Sequence, residues 1–301
     1  MNVNFSAIIN RSFQIAWKYK SLWIFGLFTG GGTGGFNFNV PSDFWKKATG
    51  NDYESELQGL FHGFDLPSNF DTSLLVPLLL LAMVLFFVFL ICYLIAQPAI
   101  IDAVNKITRG GQYSFGSSFS RGIDFMLRFL GLTVIGILAG IALVLVVGIL
   151  VIITPFTLLL TIPLAVVAAF FFYHTFGLAE VALVARDCTV GDAIIEGWEL
   201  LNRNKANCLI ASLLIIGIAI GFMIVIGIVA LFTFVPLGLA VGLMTGNIIA
   251  VLALVVILGL PLSIVLGGFS GTFFNAFYVQ FYFKMYEPEP TLAAGTASPA
   301  A

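Results

Sequence analysis

Charged residues are scarce in this sequence. Aspartate, glutamate, lysine and arginine together make up 9% of its 301 residues, whereas hydrophobic residues make up 60% and the mean hydropathy is +1.07. Soluble domains carry about 25% charged residues, so the composition excludes an ordinary soluble protein. The formal net charge is −2, and we therefore expect no nucleic-acid partner.

Cysteine and histidine are equally scarce. Cys92, Cys188 and Cys208 form no Cys-x-x-Cys pair, which argues against a disulfide framework or a zinc site. The two histidines, His62 and His174, are too few for a metal cluster. The chain also lacks the GxSxG and HExxH signatures of hydrolases and zinc proteases. We therefore expect no cofactor and no enzymatic activity.

Long apolar runs are what the sequence has in abundance. Their residues do not alternate in polarity as barrel strands do, so the runs predict helices. Five of them reach or exceed about 18 residues, the length that a helix needs to cross a bilayer: Leu74–Ile101, Phe129–Ile153, Phe156–Leu183, Cys208–Val235 and Ile248–Leu266. A shorter run near Ser21–Gly30 makes a sixth crossing if the preceding helix or the following glycines extend it. The sequence thus predicts an all-α, polytopic transmembrane bundle of about six spans.

Three segments of the chain resemble one another and align without gaps. They are NFSAIINRSFQIAWK (Asn4–Lys18), SFGSSFSRGIDFMLR (Ser114–Arg128) and TVGDAIIEGWELLNR (Thr189–Arg203). Each opens on a residue that caps helices, repeats apolar residues at helical spacing and closes on a base. At the ninth position each has a small residue: Ser12, Gly122 and Gly197. The pattern predicts three amphipathic helices, each directly ahead of an apolar run.

This pattern predicts a unit, an amphipathic helix followed by two spans, that is used three times. The units cover about residues 4–105, 114–185 and 189–286, within a single transmembrane domain of residues 1–286. The composition of the tail, residues 287–301, is typical of a disordered segment.

The distribution of bases predicts the orientation. Eleven of the thirteen lysines and arginines flank the amphipathic segments and the C-terminus, and only Lys46 and Lys47 lie elsewhere. Because cytoplasmic loops are rich in bases, we expect both termini and the amphipathic helices in the cytoplasm, in a multi-pass protein of the cytoplasmic (plasma) membrane. The loop at residues 30–72 then lies outside.

The first apolar run ends in glycines, and Gly30, Gly32 and Gly35 fit the pattern GxGxxG. A dinucleotide-binding loop needs a preceding strand, a following helix and a βαβ unit, none of which the sequence predicts here. The expected outer position also separates this loop from cytoplasmic nucleotides. We therefore interpret the stretch as the exit of the first span and expect no nucleotide partner.

Ionisable groups within spans are candidates for function because burying them in a membrane is costly. Glu180 and His174 lie in an apolar run, six residues apart and so not on one helical face, and Asp102 lies at a span end. Lys106 is a ready partner for Asp102 at i,i+4. Structural pairing is the favoured interpretation for Glu180, Asp102 and His174, and a functional role is the alternative.

The stretch FGLAEVALVARDCTVGDAIIEGWELLNRNKANCLIASLL, residues 176–214, resembles a bacterial polytopic membrane-domain family. That family occurs beside some glycerophosphodiester phosphodiesterases and, more often, as stand-alone uncharacterised membrane proteins. The segment RSFQIAWKYKSLWIFGL, residues 11–27, is similar to the stand-alone members. The sequence contains no counterpart of the phosphodiesterase barrel, so the resemblance implies a membrane module and no enzymatic residue.

Two functions remain open. In the first, the protein is a non-enzymatic membrane module that organises lipids or a membrane or cytoplasmic protein partner through its amphipathic helices, with Lys18, Arg128 and Arg203 as interfacial bases. In the second, the bundle is a transporter or channel-like protein for a small or lipid-like solute. The near absence of polar residues in the spans argues against the second.

The predicted orientation is testable with reporter fusions. A reporter inserted after Gly50 should be active only outside the cytoplasm, and one fused after Glu289 only inside it, because the bases hold the flanking segments in the cytoplasm. Fusions after both sites are assayed in intact cells with enzymes active on one side of the membrane. Two fusions that report the same side would contradict the topology.

Overall fold

The computed structural model describes residues 3–29, 75–153, 158–245 and 248–286. Apart from short connections, these residues form helices, and among them there is no strand. The helices are α1 (Phe5–Lys18), α2 (Leu22–Phe28), α3 (Leu75–Thr108), α4 (Phe115–Ile153), α5 (Leu158–Arg186), α6 (Val190–Arg203), α7 (Lys205–Thr245) and α8 (Ile248–Tyr286). The glycine motif at residues 30–35, the predicted outer loop from residue 30 and the tail at 287–301 lie outside the described residues.

Among the described residues, five helices are long and apolar enough to cross a membrane. The candidate spans lie in α3, α4, α5, α7 and α8. At a rise of about 1.5 Å per residue, α4 and α8 are each about 58 Å long, well beyond the ~30 Å of hydrocarbon. By contrast, α2 has seven residues and is about 10 Å long. Because the chain after Thr29 is not among the described residues, the sixth crossing stays a prediction.

The chain divides into two compact units. The first contains residues 1–35 and 93–301, and the second contains residues 36–92. The described part of the second unit is the beginning of α3, where large apolar side chains such as Leu81 and Phe87 are about half exposed. In the first unit, the most deeply buried apolar side chains include Ile100, Leu183 and Phe277, from the C-terminal halves of α3, α5 and α8.

All three amphipathic segments are helical, but the second is not a separate helix. α1 begins after Asn4, whose side chain accepts a hydrogen bond from the Ala7 amide, and α6 begins after Thr189, which caps in the same way. α6 ends at Asn204, whose side chain donates to the Leu200 carbonyl oxygen. The second segment continues without a break into the apolar run from Phe129, so that both form α4. Phe129 and Leu130, which directly follow Arg128, are neither turn-forming nor capping residues, so the helix continues there.

The small residues of the amphipathic segments lie where helices approach most closely. A Cβ atom added to Gly122 would overlap the carbonyl oxygen of Ile95 in α3, and one added to Gly197 would overlap that of Thr175 in α5. Ser12 is fully buried and its hydroxyl accepts a hydrogen bond of 2.9 Å from Gln280 Nε2 in α8. Each amphipathic segment thus packs on the second half of a candidate span.

A similar close contact fixes the short helix α2. A Cβ atom added to Gly26 would overlap the Gly268 carbonyl oxygen of α8, and one added to Gly271 would overlap the Gly26 carbonyl oxygen. Backbones can approach this closely only where side chains are absent, as in other small-xxx-small membrane contacts. Gly267 and Gly271 of α8 have the spacing of a small-xxx-small pair, and Gly271 lies in this contact.

The contact at Gly197 predicts a position-specific loss of stability. Gly197→Ala should destabilise the protein by about 1–3 kcal/mol, because the new methyl group forces α6 away from the α5 backbone. Gly191→Ala in the same helix is the matched control, since a Cβ atom there meets nothing within 4 Å and alanine favours helix by about 0.5–1 kcal/mol. Unfolding of the detergent-solubilised variants measures the effect. Equal stability of the two variants would contradict the packing.

Candidate functional site

Polar side chains from four helices meet inside the first unit. Gln97 Nε2 of α3 donates to Glu180 Oε2 of α5 and to Asn275 Oδ1 of α8, both at 3.1 Å. Asn275 Nδ2 donates in turn to the Thr29 hydroxyl, at the end of α2, at 3.1 Å. We call these four residues the central amide cluster. Thr29, Gln97 and Asn275 are each at most 2% exposed.

The central amide cluster satisfies most of its own hydrogen-bonding groups. Asn275 Nδ2 also donates to the Gly271 carbonyl oxygen at 2.9 Å, and the Thr29 hydroxyl donates to that of Gly26. Gln97 Oε1 is buried and has no hydrogen-bond partner among the described residues. In a membrane such pairing matters because water is absent to replace a missing partner. Chemically, the cluster can hold the Glu180 side chain in place through a neutral amide.

His174 is also held by hydrogen bonds from neighbouring helices. Its Nδ1 lies 2.9 Å from the hydroxyl of Tyr278 in α8, and its Nε2 lies 2.5 Å from that of Ser212 in α7. The imidazole is fully buried, and the ring of Phe170 lies 4.8 Å from it, centroid to centroid. Both ring nitrogens are therefore engaged, and their hydrogen-bond partners, Tyr278 and Ser212, do not belong to the central amide cluster.

Asp102 forms the ion pair that its spacing predicts. Lys106 Nζ lies 2.7 Å from Asp102 Oδ2, and the Ser118 hydroxyl of α4 donates to the same oxygen at 2.9 Å. Ser118 is fully buried and belongs to the second amphipathic segment. Asp102 thus ties that segment to the end of α3 and lies apart from both Glu180 and His174 in the hydrogen-bond network.

Arg128, one of the three expected interfacial bases, has a partner within the protein. Arg128 and Arg121 of α4 bind the two carboxylate oxygens of Asp187, at 2.6 and 2.9 Å. Their hydrogen bonds, that of Arg128 first, lower the pKa of Asp187 below its ordinary range. Asp187 follows α5 and has a positive φ of 53°, a conformation that few residues other than glycine and asparagine adopt readily. We call these three residues the arginine clamp.

Lys18 and Arg203 are placed differently from Arg128. No described carboxylate lies within ion-pair distance of either base, and Lys18 lies over the Tyr19 ring with its ammonium 5.7 Å from the ring centroid. Next to these bases, the amphipathic helices expose large apolar side chains. At the tenth position of the alignment the exposed fractions are 48% for Phe13, 49% for Ile123 and 48% for Trp198.

Several of these polar residues are absent from the sequence predictions. Gln97 and Asn275 carry no charge, and a search for ionisable groups passes over them, although an amide inside an apolar run is itself unusual. Asp187 lies in a short polar link between helices, and its sequence position does not indicate a partner. Its role as the partner of Arg128 follows only from their distance in the folded structure. Tyr282 and Arg186 both bind the Glu196 carboxylate of α6, and again no sequence spacing predicts this.

Metal-ligating clusters are not found in the part of the chain that the structure describes. No group of three or more histidine, cysteine, aspartate or glutamate side chains there could hold a metal ion. The three cysteines are free thiols. The expectation that the protein has no cofactor stays a prediction.

The part of the chain that the structure describes defines the class of the protein: it is helical, and five of its helices are long and apolar enough to span a membrane. Residues 14–287 match the model of a family described as a family of unknown function (DUF7544), and the chain belongs to that family. No curated protein and no solved structure matches it. The resemblance to the membrane domain found beside glycerophosphodiester phosphodiesterases stays a prediction.

The arginine clamp predicts a pH-dependent stability. Folding lowers the pKa of Asp187. The stabilisation of the folded protein by the arginine clamp is therefore complete above the ordinary aspartate pKa of about 3.9. It is lost as the pH falls through the lower pKa of the folded protein. The solubilised Asp187→Asn variant should therefore have a lower thermal unfolding midpoint than the wild type near pH 7. In acid the difference between the two midpoints should become smaller.

Asparagine is the suitable substitute because it tolerates positive φ and removes only the charge. Asp187→Ala is the companion variant, and its additional loss measures the backbone strain at φ 53°. A midpoint of Asp187→Asn equal to that of wild type at every pH would show that the clamp contributes nothing to stability.

Proposed function

We propose that this protein is a non-enzymatic module of the cytoplasmic membrane whose three amphipathic segments lie along the inner leaflet and gather anionic lipids. Both termini are cytoplasmic in this proposal, as the distribution of bases indicates. Lipids are the favoured partners because the exposed side chains of these segments combine bulky apolar groups with bases. A protein partner on the same surface is the other outcome of the test.

The contacts of the small residues support a unit repeated three times. In this proposal α1 belongs to the first unit, the beginning of α4 to the second and α6 to the third. Ser12 contacts α8, Gly122 contacts α3 and Gly197 contacts α5. Each contacted helix is the second span of a different unit, so the three units close into a ring. The ring holds the three segments at one end of the bundle.

The observation that carries the proposal is the exposed side chain at the tenth aligned position. Phe13, Ile123 and Trp198 are equally exposed, although each follows a buried small residue. In all three segments the buried side faces a span, so these residues point away from the protein. A bulky apolar side chain left exposed three times in the same place suits the boundary between headgroups and acyl chains.

The bases add the preference for negative charge. A lysine or arginine near an anionic leaflet contributes about 1 kcal/mol to its attraction. Lys18 and Arg203 are the bases to consider, because no described carboxylate pairs with them. Arg128 is excluded from this role, since it binds Asp187 and its replacement would also break the arginine clamp.

The central amide cluster is the observation that favours the alternative, a transporter or channel-like protein. It brings a carboxylate and a buried, unpaired amide oxygen together between helices, as a solute site would require. Against this, the amide nitrogens of Gln97 and Asn275, and both ring nitrogens of His174, bond to other protein groups. These bonds leave few groups to receive a polar solute.

The proposal predicts a selectivity among the lipids that contact the protein. In vesicles of phosphatidylcholine, spin-labelled phosphatidylglycerol should be immobilised by the wild type more strongly than spin-labelled phosphatidylcholine. The double variant Lys18→Glu, Arg203→Glu should lower this preference about twofold or more, because each base contributes about 1 kcal/mol near an anionic headgroup. Electron paramagnetic resonance measures the immobilised fraction of each label.

The double variant Lys46→Glu, Lys47→Glu is the control, because it makes the same change of charge in the loop predicted to lie outside. Unchanged preference in the double variant would refute lipid gathering. Loss of a co-purifying protein in the double variant, with lipid preference intact, would indicate a protein partner. Solute flux that depends on Glu180 and not on the two bases would support the transporter.

A further inference from the structure

A cavity of about 340 Å³ lies beside the third amphipathic helix, α6. Arg186 lines it from the end of α5, and Tyr286 lines it from the end of α8. Two side chains of opposite charge, Glu199 and Arg203, line it from α6 itself. Its volume is within the range of sites that bind small molecules. We call this space the α6 cavity.

Half of the charged side chains in the α6 cavity are already paired. Arg186 binds the Glu196 carboxylate at 2.7 Å, and its guanidinium lies over the Tyr286 ring at 4.9 Å from the centroid. Glu196 also accepts a hydrogen bond from the Tyr282 hydroxyl. Because Arg186 and Glu196 are held by protein groups and their charges compensate one another, neither is the main contact for a ligand.

The other two charges are not paired. Glu199 and Arg203 are exposed and lie one helical turn apart on α6, yet no ion pair joins them. Neither forms an ion pair with another residue in the part of the chain that the structure describes. A pair at this spacing on a helix surface is weak, so a ligand that binds both side chains competes with it easily. The α6 cavity thus offers one carboxylate and one guanidinium to a ligand.

The other two amphipathic segments do not offer this combination. Glu199 and Arg203 occupy the eleventh and fifteenth positions of the alignment. In α1 the eleventh position is Gln14, so the acid is missing. In α4 the base at the fifteenth position is Arg128, which is bound to Asp187. Of the three segments, α6 alone presents both charges without an ion-pair partner among the described residues.

An acid and a base side by side are complementary to a zwitterion. A guanidinium binds a phosphate through two parallel hydrogen bonds, and a carboxylate accepts strong hydrogen bonds from a primary ammonium group. In phosphatidylethanolamine two carbon atoms separate these groups, a reach of about one helical turn. Phosphatidylcholine has the same charges, but the three methyl groups on its nitrogen leave it no hydrogen to donate. The α6 cavity therefore suits the headgroup of phosphatidylethanolamine better.

Apolar side chains continue from the α6 cavity along the outside of α6. Ile195 lies one turn before Glu199 and is 59% exposed, and Trp198 is 48% exposed. Leu200 and Met285 line the cavity itself. A lipid headgroup in the cavity places its acyl chains beside this apolar surface, whereas a soluble zwitterion would leave the surface uncovered. The surroundings of the cavity thus favour a lipid.

We propose that the α6 cavity binds the headgroup of one phosphatidylethanolamine molecule, with its phosphate on Arg203 and its ammonium on Glu199. The inference rests on the proposed function in one respect, because α6 must lie at the inner leaflet. Arg203 attracts the phosphate of any phospholipid, and Glu199 selects the zwitterionic one. The protein thus binds one zwitterionic lipid at a defined place, in addition to the anionic lipids around its segments.

The test is native mass spectrometry of the full chain, purified in detergent and incubated with one lipid at a time. Wild-type protein should retain a single phosphatidylethanolamine molecule and about tenfold less phosphatidylcholine, the effect of one hydrogen bond to a charged group. Glu199→Ala should remove this preference, and Glu199→Asp, which keeps the charge, should recover part of it. Arg203→Gln should lower the retention of both lipids about tenfold, because both carry the phosphate.

Asp124→Ala and Lys20→Gln are the controls, since they remove an exposed acid and an exposed base that do not line the α6 cavity. All substituted side chains are exposed, so each variant should keep the wild-type unfolding midpoint. A preference that is equal in wild type and Glu199→Ala would overturn the proposal. Displacement of the lipid by millimolar phosphoethanolamine, with its adduct in place of the lipid, would also overturn it and assign the cavity to a soluble zwitterion.

The two proposals fail in distinguishable ways. If one phosphatidylethanolamine molecule is retained through Glu199 while spin-labelled phosphatidylglycerol shows no preference, the α6 cavity stands and lipid gathering does not. If the preference for phosphatidylglycerol depends on Lys18 and Arg203 while phosphatidylethanolamine and phosphatidylcholine are retained equally, lipid gathering stands and the α6 cavity does not.

Discussion

Close approach of helices at small residues is the constraint on which the described structure depends. Hydrocarbon offers no hydrophobic drive for helices to associate, so packing and hydrogen bonds must hold them together. At Gly122, Gly197 and the Gly26–Gly271 contact, one backbone lies so near another that a single added carbon would overlap it. These contacts decide which side of each amphipathic segment faces the protein, and therefore which side is left exposed.

Polar bonds accompany each of these contacts. Ser12 accepts from Gln280, Ser118 donates to Asp102, and Glu196 binds Arg186 and Tyr282. The residues differ in chemistry, but each bond joins an amphipathic segment to the end of a helix that could span the membrane. A broken bond leaves an unpaired polar group at the edge of a low-dielectric region. These bonds therefore fix the positions of the amphipathic segments as well as contributing to stability.

Local patterns predicted the parts of the fold that depend on neighbours in sequence. The apolar runs, the caps at Asn4 and Thr189 and the Asp102–Lys106 pair all involve residues at most a few turns apart. The pairings of Gln97 with Glu180 and Asn275 span 83 and 178 residues, and no periodicity encodes them. The prediction that the second amphipathic segment forms a separate helix was wrong. A capping residue predicts where a helix begins and does not predict where it ends.

The alignment of the three segments does not reveal which of their bases form ion pairs within the protein. Lys18, Arg128 and Arg203 occupy one aligned position, yet Arg128 binds Asp187 and the other two have no carboxylate partner among the described residues. Seven positions earlier in the motif, Arg11, Arg121 and Glu196 differ in the same way, since the last two form ion pairs. A base held by a carboxylate inside the protein attracts an anion weakly, because its charge is already compensated. The three segments thus share a backbone arrangement but not a surface charge.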